Sequence, residues 1–158
     1  MGFLRSRPAD EDAESEERTA DRDPVAIFRA DGIEECSIVR SSARLSDQLN
    51  SGAPLHVLSA VGAWAAVDSD LVLAIAAPPR AEPSPNRMAR RRHVLELTAG
   101  PYEITGTVHM PPGADPARYA RAAALRWLPM TNATIATQGN TDAFAVDVLL
   151  VNLDHVTR

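Results

Sequence analysis

One stretch of this chain occurs twice, and that echo constrains the fold more than any other feature. Residues 100–133 read GPYEITGTVHMPPGADPARYARAAALRWLPMTNA, and a worn copy, GIEECSIVRSSARLSDQLNSGAPLHVLSAVGA, lies at residues 32–63. Gly32 aligns with Gly100, Glu34 with Glu103, Val39 with Val108, Leu58 with Leu128 and Ala63 with Ala133, with small gaps. Each copy follows a strand-like apolar run (Val25 to Arg29, then Val94 to Thr98) and precedes another (Leu71 to Ile75, then Val146 to Val151). Such an echo marks one supersecondary unit used twice, and a unit this small buries too little apolar surface to stand alone. The two copies are therefore expected to share a core.

The local pattern predicts the same element order in each copy. In the first, Val25 to Arg29 is a strand, Asp31-Gly32 a two-residue hairpin signal, and Ile33 to Arg40 the partner strand, with Cys36 and Ile38 on one face at period two. Ser41-Ser42 offers an N-cap, Ala43 to Asn50 a short helix with Leu45 and Leu49 on one side, and Gly52 a stop. Leu55 to Ala66 and Leu71 to Ala76 then read as strands. In the second copy Val94 to Thr98 and Tyr102 to Met110 are strands, and Asp115-Pro116 opens a helix over Ala117 to Leu125. Trp127 to Thr137 and Phe144 to Leu153 are the closing strands. The expectation is an α+β, strand-dominated fold: two ββαββ repeats packed into one compact sheet or barrel-like body.

Four segments follow: an acidic tail at 1–23, a first repeat at 24–79, a linker at 80–92 and a second repeat at 93–158. The tail holds eight acids against four arginines and little that is apolar, so disorder is expected there. The linker, PPRAEPSPNRMARRR with its approach, is rich in proline and arginine, which suits a connection rather than an element. Of the net charge of −5, most sits in the tail; the rest of the chain carries 13 acids and 12 arginines. That balance gives no broad basic footprint, so nucleic acid is not an expected partner. All 16 basic residues are arginine. No apolar run reaches the roughly 18 residues needed to span a bilayer, and no signal-peptide core opens the chain, so the expected location is cytoplasmic.

The helix sequence Ala43-Arg-Leu-Ser-Asp-Gln-Leu-Asn50, the turn Gly106-Thr-Val-His-Met-Pro-Pro-Gly113 and the strand start Trp127-Leu-Pro-Met-Thr-Asn-Ala133 together resemble a small bacterial domain family of unknown function. Its members run strand, strand, a PPG-type turn, an RLSDxLN-like helix and a FLPLTDA-like strand. The likeness covers residues 25–76 and 93–153, one copy keeping the helix motif and the other its flanks. It implies a fold and carries no activity.

Candidate chemistry is sparse. Arg44, Ser46, Asp47 and Asn50 form the most polar cluster within a repeat. A ligand-facing helix is one reading, but the favoured one puts Ser46 and Asp47 on the solvent face, Leu45 and Leu49 inward, and Asn50 at the helix end before Gly52. His56, His93, His109 and His155 have no ligand spacing, so no metal site is expected. Cys36, the single cysteine, reads as a small core residue. No nucleophile elbow, phosphate-cradling loop or dinucleotide fingerprint occurs, so neither a cofactor nor an enzymatic activity is expected. The sharper lead is Arg87, Arg90, Arg91 and Arg92. Arg87 and Arg91 have the RxxxR spacing that opens the cyclic-dinucleotide-binding PilZ domains, and guanidinium forks suit phosphates. The strand that would complete such a motif offers Thr105, Gly106 and Thr107 in place of an acid and a serine. Two functions remain: a non-enzymatic interaction or scaffold module, with a protein partner or self-association, and a sensor of an anionic nucleotide.

Overall fold

The structure is a computed structural model, and it describes residues 21–80, 90–116, 118–119 and 125–157. Among these residues ten strands form one antiparallel sheet. They are β1 (Arg22–Arg29), β2 (Gly32–Val39), β3 (Leu55–Ser59), β4 (Trp64–Val67) and β5 (Ala74–Ala77), then β6 (Arg91–Ala99), β7 (Tyr102–Met110), β8 (Trp127–Thr137), β9 (Ala143–Asn152) and β10 (Val156–Thr157). One helix, α1 (Leu45–Asn50), joins β2 to β3. The order across the sheet is β10-β6-β7-β8-β9-β5-β1-β2-β3-β4. Divided between β9 and β5, each half reads fifth strand, first, second, third, fourth.

The strand-dominated expectation holds, while the barrel-like closure does not. The sheet ends on β10 and β4, which pair with β6 and β3 and not with each other. Each half also has one strand more than expected. A turn at Ala60 to Ala63 splits the run from Leu55 to Ala66 into the β3–β4 hairpin. The apolar run at 71–76 is not one strand either: a 3-10 turn, Ser69–Leu71, precedes β5, and a matching turn, Leu153–His155, precedes β10. Asp68 and Asn152 cap these two turns alike, each side-chain oxygen accepting a backbone N–H two residues on.

The seam between the halves is the β5–β9 ladder, Ala74 to Ala77 against Val148 to Val151. Here lie the two nearly all-apolar runs, because strands at the middle of the sheet are covered on both faces. Val72 to Ile75 and Leu149 to Asn152 are buried without a break. On one face Phe28, Leu73, Tyr102, Ile104, Met130, Ile135 and Leu149 belong to a large cluster. On the other, Val25, Ile27, Cys36, Ile38, Ile75 and Leu150 pack under Leu49 of α1 and Trp127. Although three strands separate β7 from β1, the Phe28 and Tyr102 rings meet edge to face at 5.5 Å, and the Tyr102 hydroxyl donates to the Arg29 carbonyl at 2.7 Å. The sheet therefore curls over the first cluster. Burial pushes the Tyr102 phenol up, with the charge of Asp31 adding to it.

A bulge in β8 tightens this curl. Thr105 pairs with Thr134 and Thr107 with Thr131, so Asn132 and Ala133 together oppose Gly106. Asn132 takes φ 47°, and a Cβ on Gly106 would stand 3.0 Å from the Ala133 Cβ and 3.1 Å from the Met130 methyl. A side chain there would need Ala133 and Met130 to give by a few tenths of an ångström. The bulge moves the core-facing positions of β8 from Leu128 and Met130 to Ala133 and Ile135.

Several boundaries differ from expectation. β1 begins at Arg22, inside the expected tail, because Arg40 at the end of β2 binds both Asp21 and Asp23. The remaining tail, residues 1–20, and most of the linker, 81–89, lie outside the described residues. Arg91 and Arg92 are strand, not linker. The two-residue turn of the first hairpin is Ala30-Asp31. α1 starts at Leu45, with Arg44 at its N-cap and no side-chain cap, whereas Gly52 ends it with φ 79° as expected. Of the helix expected at 117–125, Arg118 and Tyr119 are helical and follow Pro116, while 117 and 120–124 lie outside the described residues. No helix among the described residues is long and apolar enough to cross a membrane.

Candidate functional site

The face that carries α1 does not end at α1. Beyond it, over the N-terminal end of β6 and the adjoining strands of the second half, lies a cleft of about 650 Å³. Its floor is apolar, with Ile38, Leu45, Val108, Leu128, Val148 and Leu150, and Tyr119 lines it too. Among the described residues its basic side chains are Arg44, Arg80, Arg90 and Arg92 with His109, and its one acid is Asp23. That volume lies within the range of small-molecule sites, and an apolar floor with a few polar groups is their usual composition.

Each arginine arrives by a different local rule. Arg90 and Arg92 are two residues apart, and the period of an extended strand puts both on one side. Arg92 pairs across the ladder with His109, whose Nε2 lies 2.9 Å from the Thr131 hydroxyl. Arg44 is the N-cap of α1. Arg80, just past β5, donates to the carbonyls of Ser41, Ser42 and Ala43 and so ties the segment before α1 to the far wall. The segment is thus held by a guanidinium that also lines the cleft.

The one acid among the described lining residues is already engaged. Asp23 accepts from Arg40 Nε at 2.9 Å and Nη2 at 2.7 Å, and this contact with Asp23, followed by the charge of Asp21, pushes the Arg40 pKa up. Asp23 is engaged by Arg40, and among the described residues Arg44, Arg80, Arg90 and Arg92 outnumber it around the apolar floor. Cys36 is no nucleophile. It is buried, and burial, with Glu34 adding to it and Arg29 opposing, pushes its thiol up to about 11.

Of the four arginines singled out in the sequence, the structure brings Arg90 and Arg92 to the cleft and leaves Arg91 off it, an exposed residue at the other parity of β6. Arg87 lies outside the described residues. The RxxxR spacing thus gives way to an RxR pair on a strand. Ser46, read as solvent-facing, lines the cleft together with Arg44, while Asp47 is exposed as expected. Arg80 and His109 were missed. An earlier start for β6 was the signal within reach, since it turns Arg90-Arg91-Arg92 into two faces. Asn50 has another role: Oδ1 accepts from Trp127 N at 2.9 Å and Arg126 N at 3.1 Å, and Nδ2 donates to the Trp127 carbonyl at 3.0 Å, pinning α1 to β8. Among the described residues no group of three or more metal-ligating side chains converges.

No family model, no curated protein and no solved structure matches this chain.

Proposed function

We propose that the chain is a non-enzymatic binding module whose site is the arginine-lined cleft and whose ligand is an anionic nucleotide. The observation that carries this reading is the meeting of Arg44, Arg80, Arg90 and Arg92 around an apolar floor. Guanidiniums take phosphate oxygens in a fork, and a base has a planar apolar face that fits against the half-buried Leu45, Tyr119 and Val148. The non-enzymatic part rests on two contacts: the lining carboxylate is engaged by Arg40, and the thiol is buried away from the cleft. A scaffold role is the second reading, favoured by the open ends of the sheet. The resemblance to the bacterial domain family belongs to this proposal as well. Two copies of one unit account for the shared strand order and for the matching capped turns at Ser69–Leu71 and Leu153–His155.

Calorimetry with a cyclic dinucleotide, adenosine diphosphate and inorganic pyrophosphate tests the reading. A nucleotide should bind more tightly than pyrophosphate, because the floor adds apolar contact to the charge. Arg90→Ala/Arg92→Ala should weaken it by at least about tenfold, the size of two lost charge-assisted contacts, and Arg91→Ala should leave it unchanged. Absence of binding by any probe, equal binding of pyrophosphate, or equal loss in Arg91→Ala would sink the cleft as a nucleotide site.

A further inference from the structure

We infer that two copies of this chain join through the outer edge of β6, in one defined register. Among the described residues, β10 covers β6 at Thr98 and Ala99 and no further. Among the described residues, the outer edge is unpaired from Arg91 to Leu97. An open edge of this length is a template for another strand. Three features of β6 make a second β6 the occupant.

The first is the room available. In a symmetric antiparallel pair, the β10 of one copy blocks one end of the shared window and the β10 of the other blocks the opposite end. Seven residues, 91–97, lie between, and their midpoint is Val94. Moving the two-fold to Leu95 would pair Arg92 with position 98, which β10 occupies.

The second is the direction of the backbone groups. The β6–β7 hairpin turns through Gly100-Pro101, with φ 54° at Gly100, and closes on the pair Ala99 and Tyr102. A two-residue turn with glycine first makes its closing pair a hydrogen-bonded one. Counting back in twos, Leu97, Leu95 and His93 direct their N–H and C=O toward β7. Arg92, Val94 and Glu96 direct theirs outward. A two-fold at Val94 therefore falls on a position that exchanges both hydrogen bonds with its own copy.

The third is the side chains at that register. Val94 is 68% exposed, an apolar group that its own copy would cover. Arg92 of each chain faces Glu96 of the other, and both are exposed in the single chain. Opposite charges directly across an antiparallel pair stabilise it and like charges destabilise it. Moving the two-fold to His93 would set Arg92 against Val94 and lose this match. The register that β10 permits is the register that satisfies the charges. Arg92 also lines the cleft, whereas Val94 and Glu96 lie off it, so Val94→Pro and Glu96→Arg test the dimer apart from the nucleotide reading.

Sedimentation velocity over a concentration series of the full chain tests it. The wild type should shift from monomer to dimer as concentration rises. Val94→Pro should stay monomeric yet folded by circular dichroism, because the N–H it removes points outward and the β7 ladder is kept. Arg92→Glu and Glu96→Arg should each weaken the dimer at least about tenfold by opposing like charges twice. Mixed one to one, those two variants should dimerise with each other, since every 92–96 contact is then of opposite sign. A wild type that stays monomeric to its solubility limit would overturn the inference. So would a dimer indifferent to the charge reversals, or variants that fail to recover on mixing; these also decide the matter if Val94→Pro does not fold.

Discussion

The third and fourth strands of the C-terminal half, β8 and β9, run for 11 and 10 residues, whereas those of the N-terminal half, β3 and β4, run for 5 and 4. They hold the same places in the order of their halves. What differs is where those places fall in the whole sheet. β9 lies at the centre between β8 and β5, and its last four residues are buried; β4 ends the sheet, and three of its four residues are exposed. At a free edge a short strand is the safer solution, because it offers little for a stray strand to pair with. The comparison teaches that β9 and β4, alike in the order of their halves, differ in length and burial with their places in the sheet. The contrast does not extend to the short central β5 or the nine-residue β6.

The two tryptophans carry this contrast in one residue type. Trp127, which opens β8, is 1% exposed, while Trp64, which opens β4, is 41% exposed with Arg22 over its ring at 5.8 Å. Trp127→Ala should cost about 3–5 kcal/mol, the range for truncating a large buried side chain. Trp64→Ala should cost less than about 1 kcal/mol, the loss of a partly exposed cation–π contact. Urea denaturation of both variants measures the difference, and equal costs would break the distinction between centre and edge.

The seam offers the next test. Asn152 is fully buried. Its Nδ2 donates to the Ser69 and Val72 carbonyls at 3.1 and 3.0 Å, and its Oδ1 accepts the Asp154 N–H at 3.1 Å. Asn152→Leu keeps the volume close but strands backbone groups from both halves, so a loss of about 2–3 kcal/mol is expected. Asp68 caps the corresponding turn in the first half, at an exposed contact. A loss below about 1 kcal/mol for Asn152→Leu would show that the seam is held by its apolar ladder alone.

The smallest expected effect concerns pH. A thiol whose folded pKa lies at about 11, above its ordinary value of 9.0, keeps its proton in the folded chain after the unfolded chain has lost it. Its contribution to stability is whole below pH 9 and fades as the pH rises toward about 11. Tyr102, pushed in the same direction, adds to the fall, so Cys36→Ala isolates the thiol. The wild-type stability should drop more steeply than that of Cys36→Ala across this range. Parallel curves would show that the Cys36 environment in the N-terminal half is wetter than its burial implies.

Much of the fold was legible because it rests on short-range rules. Period-two alternation placed Cys36 and Ile38 on one face, Leu45 and Leu49 fell on one side of a helix, and Gly52 stopped it. The apolar runs at 71–76 and 146–151 each hold part of a strand that meets the other at the seam. The cleft was legible only in part. Arg90 and Arg92 stood out by type, but their shared side depends on where β6 begins. Arg44 and Arg80, 36 positions apart in the chain, share a wall only because α1 folds back past the end of β5.

By itself, then, the sequence determined the recurring strand order's raw material: where the chain alternates, where glycine turns it, and which runs are apolar on both sides. Those features come from backbone sterics and the partition of side chains between water and core, which act over a few residues. The tertiary structure decided that the sheet stays open, that β5 meets β9, that β4 stays short, and that four scattered guanidiniums ring one apolar floor. Such outcomes depend on which distant strand supplies the missing hydrogen bonds, and no window of neighbouring residues contains that partner.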